Sequence, residues 1–94
     1  MTTTAFVLVD AEPGRIEELA TAIADVRGVT SVWSVTGADA DLIAMVQVPA
    51  VEDVAAVVTH HVARLEGVRR TRTAVAFREY SARELDAAFE DFGD

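Results

Sequence analysis

Ninety-four residues supply one domain, and 51% of them are hydrophobic, so the chain is apolar for its size and the first expectation is an oligomer that hides the excess against a partner. Sixteen acids stand against eight arginines for a net charge of −8, a balance that repels phosphate backbones and excludes general nucleic-acid affinity. Cysteine is absent, which removes disulfides, a thiol nucleophile and thiolate metal sites together.

The opening MTTTAFVLVD has no basic segment, and its apolar run, Ala5 to Val9, is far too short for a signal or a membrane span. The expectation is a cytoplasmic protein. AFVLV (5–9) is β-branched and aromatic and reads as a strand. Asp10 to Gly14 is punctuation, with Pro13 suited to a helix start. From Arg15 to Arg27, Ile16, Leu19, Ala20, Ile23 and Val26 recur at three- and four-residue steps and predict an amphipathic helix. Gly28 then suits the left-handed position after a helix. TSVWSVT (30–36) is a second strand and LIAMVQV (42–48) a third. Residues 37–40 between them are too few for a crossover and predict a hairpin. After Pro49, residues 51–65 predict a helix whose apolar stripe runs through Val54, Val58, His61 and Leu65. Gly67 follows, and RTRTAVAF (70–77) is the last strand. SARELDAAFEDF (81–92) predicts a terminal helix with a Ser81–Glu84 capping box and a stripe of Leu85, Ala88, Phe89 and Phe92. Residues 79–94 carry six acids against Arg83, a net of −5. The expected division is therefore a domain over 1–78 and an acidic helical tail over 79–94.

A shift of 39 residues brings the sequence partly onto itself: Ala5, Val7 and Val9 fall on Ala44, Val46 and Val48, and Gly28-Val29 on Gly67-Val68. One strand–helix–strand unit used twice is an α+β, ferredoxin-like βαββαβ fold: a four-stranded antiparallel sheet with two helices on one face. A sheet wet on one side should alternate apolar and polar residues. AFVLV, LIAMV and TAVAF are apolar or small on both sides, so both faces expect cover. The helices cover one, and a second copy's sheet, about 10 Å away, is the expected cover for the other.

The stretch VTGADADLI (35–43) sets Asp39 and Asp41 in a glycine-bearing turn. An α-amino acid carries an ammonium that an aspartate can pair and a carboxylate that backbone N–H groups around a glycine can hold. The plain alternative is a polar hairpin turn. Two carboxylates without further oxygen ligands make a poor metal site. His60 and His61, adjacent on a helix, point about 100° apart and suit structure better than chelation. Arg69, Arg70 and Arg72 form the basic cluster, expected to pair with acids of a neighbouring subunit. Phe6 and Trp33 read as core or interface anchors. No base paired to a nucleophile, phosphate loop or metal cluster is legible, so no catalytic residue, metal or cofactor is expected.

LEGVRRTRTAVAF (65–77) resembles the Leu-x-Gly-Val-x-x-Thr-x-Thr signature at the last strand of the Lrp/AsnC ligand-binding (RAM) domain. Val35-Thr36-Gly37, followed by Asp41-Leu42-Ile43, is similar to that domain's hairpin motif, and the resemblance covers residues 4–78. In that family a helix-turn-helix reads DNA and this module senses amino acids. Because this chain begins at the first strand, the resemblance implies a stand-alone domain without the DNA reader. It also implies dimers through the sheets, larger rings, and an amino acid bound where dimers meet. Carried over, Gly37 and Asp41 match the hairpin positions, Thr73, Ala74 and Val75 the last-strand positions, and Val51 a helix-start position. The family has two residues between the hairpin Gly and Asp; here there are three, Ala38-Asp39-Ala40. The extra residue enlarges the loop, moves Asp39 into the Asp41 role, or spoils the pocket.

The leading expectation is a non-enzymatic effector-binding module acting in transcriptional or metabolic regulation through oligomerisation. Its partners would be further copies of itself, an amino acid, and a full-length regulator of the same family, with no direct contact to nucleic acid or membrane. The alternatives are an interaction protein that recruits a larger regulator without a small ligand, and a small dimeric ferredoxin-like enzyme.

Overall fold

The first apolar run becomes a central strand of the sheet. In the computed structural model, which describes residues 2–80, β1 (Thr3–Ala11) is followed by α1 (Ile16–Ala24), β2 (Val29–Ser34), β3 (Leu42–Val48), α2 (Val51–Ala56) and β4 (Val68–Val75). The strands lie in the order β2-β3-β1-β4 with every neighbouring pair antiparallel. This is the ferredoxin-like arrangement expected from the repeated unit. The terminal helix expected at 81–92 lies outside the described residues.

Alternation assigns the faces. Ala5, Val7, Val9, Leu42, Ala44, Val46 and Val48 point toward the helices and are buried. Leu19 and Ile23 of α1, one turn apart, pack on them with Val54, Val57 and Val62. Pro13 lies upstream of α1 rather than inside it. The turn before the helix closes when the Arg15 N–H donates to the Glu12 carbonyl at 3.1 Å. Glu17 and Glu18 then occupy the first turn, where acids favour the helix dipole. Asp53 caps α2, its Oδ2 accepting the Ala50 N–H at 3.1 Å.

α2 does not hold its pitch. From Val57 to Val62 it continues as a π-helix, and the Ala63 N–H donates to Val58, five residues back, at 2.8 Å. Val57 and Val62, spaced by five, therefore both reach the core. The expected stripe fails here: His61 is exposed, and Val58 is only partly buried.

The repeat is visible in the backbone. Gly28 and Gly67 each follow a helix and share φ +100. The Gly28 carbonyl accepts the Gln47 N–H at 2.9 Å, and the Gly67 carbonyl accepts the Glu12 N–H at 2.8 Å. A Cβ on Gly28 would meet Val48 and Val57 methyls at 3.1 Å each, and valine side chains are stiff. Gly28→Ala should lose about 1–3 kcal/mol from left-handed strain alone, and more from the two contacts. Gly37 has φ +88 but nothing within 4 Å of its would-be Cβ, so Gly37→Ala should lose less. Urea denaturation of the two variants checks the order.

The other face of the sheet is also apolar. Register places Phe6 opposite Met45 and Ala74, Leu8 opposite Ile43, and Ile43 opposite Trp33, and directly opposed residues share a face. In the single chain Phe6 is 37% and Trp33 47% exposed. Both anchors expected from sequence thus lie on the face away from the helices.

Candidate functional site

Beyond Ile43 and Leu8 the outer face turns from apolar to charged, and there it meets the β2–β3 connection. The base of that connection is closed by backbone. Val35 N–H donates to the Asp41 carbonyl and Asp41 N–H to the Val9 carbonyl, each at 3.0 Å. Where β1 ends, its pairing with β4 shifts register between Asp10 and Ala11. The Asp41 Oδ2 accepts the Ala11 N–H at 2.8 Å in a half-buried position. That carboxylate is thus bound to the end of β1. Losing its acceptor would leave the amide unpaired, at about 1–3 kcal/mol.

Asp39 has a different environment. Its side chain is 99% exposed, with Oδ2 at 4.0 Å from Arg70 Nη2. Its carbonyl accepts a hydrogen bond from Arg72 Nη2. Between the two arginines sits Asp10, directly opposite Arg70 on β4. Asp10 Oδ2 accepts from Arg70 Nε at 3.0 Å and from Arg72 Nη1 at 3.1 Å, while Oδ1 accepts from Arg72 Nη2 at 3.4 Å. Asp10, Arg70, Arg72 and Asp39 form one clasp that ties the loop to β1 and β4. Arg70 and Arg72, expected together with Arg69 to pair with acids of a neighbouring subunit, pair with Asp10 of the same chain.

The clasp holds the Asp10 carboxyl below its ordinary range. The Arg72 hydrogen bond contributes most, and the charges of Arg72 and Arg70 add to it against partial desolvation. A lowered folded value means stability that is complete above the ordinary aspartate range and is lost as pH falls through the lowered value. Asp10→Asn should therefore be less stable than wild type near neutral pH, with the gap closing at the acid end. Denaturation midpoints of both proteins across an acid titration provide the check, and a pH-independent gap would assign the effect to packing.

The seven residues singled out in the sequence divide into two groups. Gly37, Asp39 and Asp41 surround the loop at the Ala11 end of β1. Val51 opens α2 beyond the opposite end of β3 and is 57% exposed. Val75 pairs with Ala5, Ala74 with Phe6 and Thr73 with Val7. At about 3.3 Å per residue, Ala5 and Ala11 are roughly 20 Å apart along β1. Val51 and Val75 lie toward the far end of the sheet from the loop, whereas Thr73 directly follows Arg72, which bonds the Asp39 carbonyl; one chain divides the set at Val51 and Val75. Asp10, Arg70 and Arg72 were missed as loop partners, and their signal in the sequence is slight: only the Arg-x-Arg spacing, which sets two guanidiniums on one face.

Among the described residues three grooves lie away from the clasp, one of them, about 560 Å³, beside Gly14, Ile16, Ala20 and Val32. A second, about 480 Å³, is lined by Arg27, Val48, Asp53, Val57 and His61. The third, about 370 Å³, opens on the outer face beside Phe6, Met45, Gln47 and Phe77. Among the described residues no helix is long and apolar enough to cross a membrane.

The profile of the Lrp/AsnC ligand-binding domain matches residues 4–85. A search of curated protein sequences finds no match. Among solved structures, TTHA0845 of Thermus thermophilus is 46% identical, with 84% of this chain aligned to 98% of that one at a TM-score of 0.79. AsnC of E. coli superposes at a TM-score of 0.78 with 12% identity, over 86% of this chain and 54% of its own. The transcriptional regulator NMB0573 of Neisseria meningitidis, solved as a complex with L-Met, gives 0.75 with 17% identity, over 84% and 52%. The chain spans about half the length of these last two, whose likeness is one of fold. The profile match covers most of the molecule, and the sheet order agrees with these neighbours: the chain belongs to the family of the Lrp/AsnC ligand-binding domain, a regulatory effector-binding module.

Proposed function

We propose that this chain binds an amino acid between copies of itself and acts in transcriptional or metabolic regulation by changing its own assembly. The observation that carries the reading is the separation of Gly37, Asp39 and Asp41 from Val51 and Val75, which lie toward the opposite end of the sheet. A loop from one copy set against a helix start and last strand from another would complete a site that one copy leaves divided. The apolar outer face around Phe6 and Trp33 supports a sheet-on-sheet dimer as the building block. The regulator solved with L-Met supports an amino acid as the class of ligand.

In this reading the protein is non-enzymatic, works in the cytoplasm, and influences transcription through a full-length regulator of its family. The ligand acts only if it binds one assembly state more tightly than another. Calorimetry against each of the twenty amino acids, with scattering mass measured in parallel, tests it: one or more should bind and shift the mass. Heats at the dilution level for all twenty would remove the sensing role. The engagement of Asp41 with Ala11 favours a second reading, an interaction protein without a small ligand. Pull-downs with and without residues 81–94 separate the two, because capture that depends on the tail and ignores amino acids supports the second.

A further inference from the structure

The geometry points to Arg70 and Asp39 as the pair that takes the charged head of the ligand, in place of Asp41; this rests on the amino-acid reading above. Asp41 is poorly placed for the task because its Oδ2 accepts the Ala11 N–H at 2.8 Å and the residue is half-buried. Arg72 is equally committed. Both its terminal nitrogens bond to Asp10, one also reaches the Asp39 carbonyl, and its side chain is 32% exposed.

Arg70 and Asp39 differ from these. The Arg70 side chain is 59% exposed and is held through Nε alone, by Asp10. Among the described residues its two terminal nitrogens make no hydrogen bond. The Asp39 carboxylate, 99% exposed, stands at 4.0 Å from Nη2, an ion pair without a hydrogen bond. Both charges are nevertheless placed. Asp10 fixes the Arg70 guanidinium from one side, and Arg72 fixes the Asp39 backbone from the other. Beside them the Cβ direction of Gly37 is open.

An α-amino acid presents a carboxylate and an ammonium on one carbon. The guanidinium fork matches the carboxylate, and Asp39 matches the ammonium. A ligand entering here exchanges one loose ion pair for two charge-assisted contacts on groups already positioned. The three-residue spacing from Gly37 to Asp41 then has a physical sense: it adds the position from which an aspartate faces Arg70.

The test uses the full chain and the amino acid that binds it most tightly, with two analogues: its α-carboxamide, which lacks the carboxylate, and its α-hydroxy acid, which lacks the ammonium. Wild type should prefer the amino acid to each analogue by about tenfold or more, the worth of one charged hydrogen bond. Arg70→Ala should erase the preference over the amide, and Asp39→Asn the preference over the hydroxy acid. Asp41→Asn should keep both preferences. Arg72 still holds Asp10 in Arg70→Ala, and circular dichroism with scattering mass confirms fold and assembly in each variant. Wild-type selectivity in both Arg70→Ala and Asp39→Asn would overturn this assignment and leave amino-acid binding standing. No binding of any amino acid to wild type would remove the assignment and the reading beneath it together.

Discussion

Phe6→Asp is expected to yield a folded molecule of 10.1 kDa, and wild type a particle of at least twice that mass. Phe6 lies mid-strand on the outer face between Met45 and Ala74 and is 37% exposed. In a lone chain an aspartate there keeps partial access to water, so the fold is affected less than the assembly. Across two packed sheets the same carboxylate would be desolvated without a partner, which costs several kcal/mol. A two-fold axis imposes that cost twice. Analytical ultracentrifugation of the two proteins, with circular dichroism to confirm the fold, measures the effect. An unchanged oligomer would mean that copies join elsewhere, and the outer sheet face would lose its assigned role.

Ile23→Ala should act on the fold itself. Ile23 is 0% exposed and packs α1 onto the helix-facing side of the sheet. Removing its buried methyl and methylene groups destabilises by about 2–5 kcal/mol, a large part of the roughly 5–15 kcal/mol that holds a domain together. In a domain of this size the melting temperature should fall by on the order of 10–30 °C. The comparison should be made at matched protein concentration, because assembly raises apparent stability. Val51→Ala, at a position 57% exposed, should stay within about 0.5 kcal/mol of wild type. Equal losses in the two variants would mean that the α1–sheet contact is not the core.

What the sequence conveyed follows the range over which its signals act. β3 appears at the expected residues, 42–48, because both its ends are marked locally, by the loop before it and Pro49 after it. β1 was expected at 5–9 and runs from Thr3 to Ala11, since pairing with β3 and β4 recruits polar residues that no apolar run announces. β4 was expected at 70–77 and runs from Val68 to Val75; Gly67 starts it sooner than the arginines suggested. α1 was expected from Arg15 to Arg27 and is regular only from Ile16 to Ala24. Its end tightens as the Asp25 and Val26 N–H groups donate to Ala22 and Ile23, three residues back.

The clasp was the least legible part. Asp10 and Arg72 are 62 residues apart, and only the β1–β4 register brings them together. A lone sequence leaves that register unstated, so the arginines read as groups awaiting another subunit. His61 was misplaced for a different reason. A 3.6-residue period assigns it to the core, and the period ceases to apply where Val57 and Val62 are spaced by five.

That five-residue spacing marks the second half of α2 as an ordinary helix carrying one supernumerary residue. Shortening the segment by one, for instance by deleting the exposed Thr59, would leave Val57 and the shifted valine four apart, the step by which a regular helix stacks side chains on one side. The deletion should then be absorbed by rewinding, where a deletion inside α1 would rotate Ile23 out of the interior. Tolerance to a change of length is thus built into one helix of the pair and withheld from the other.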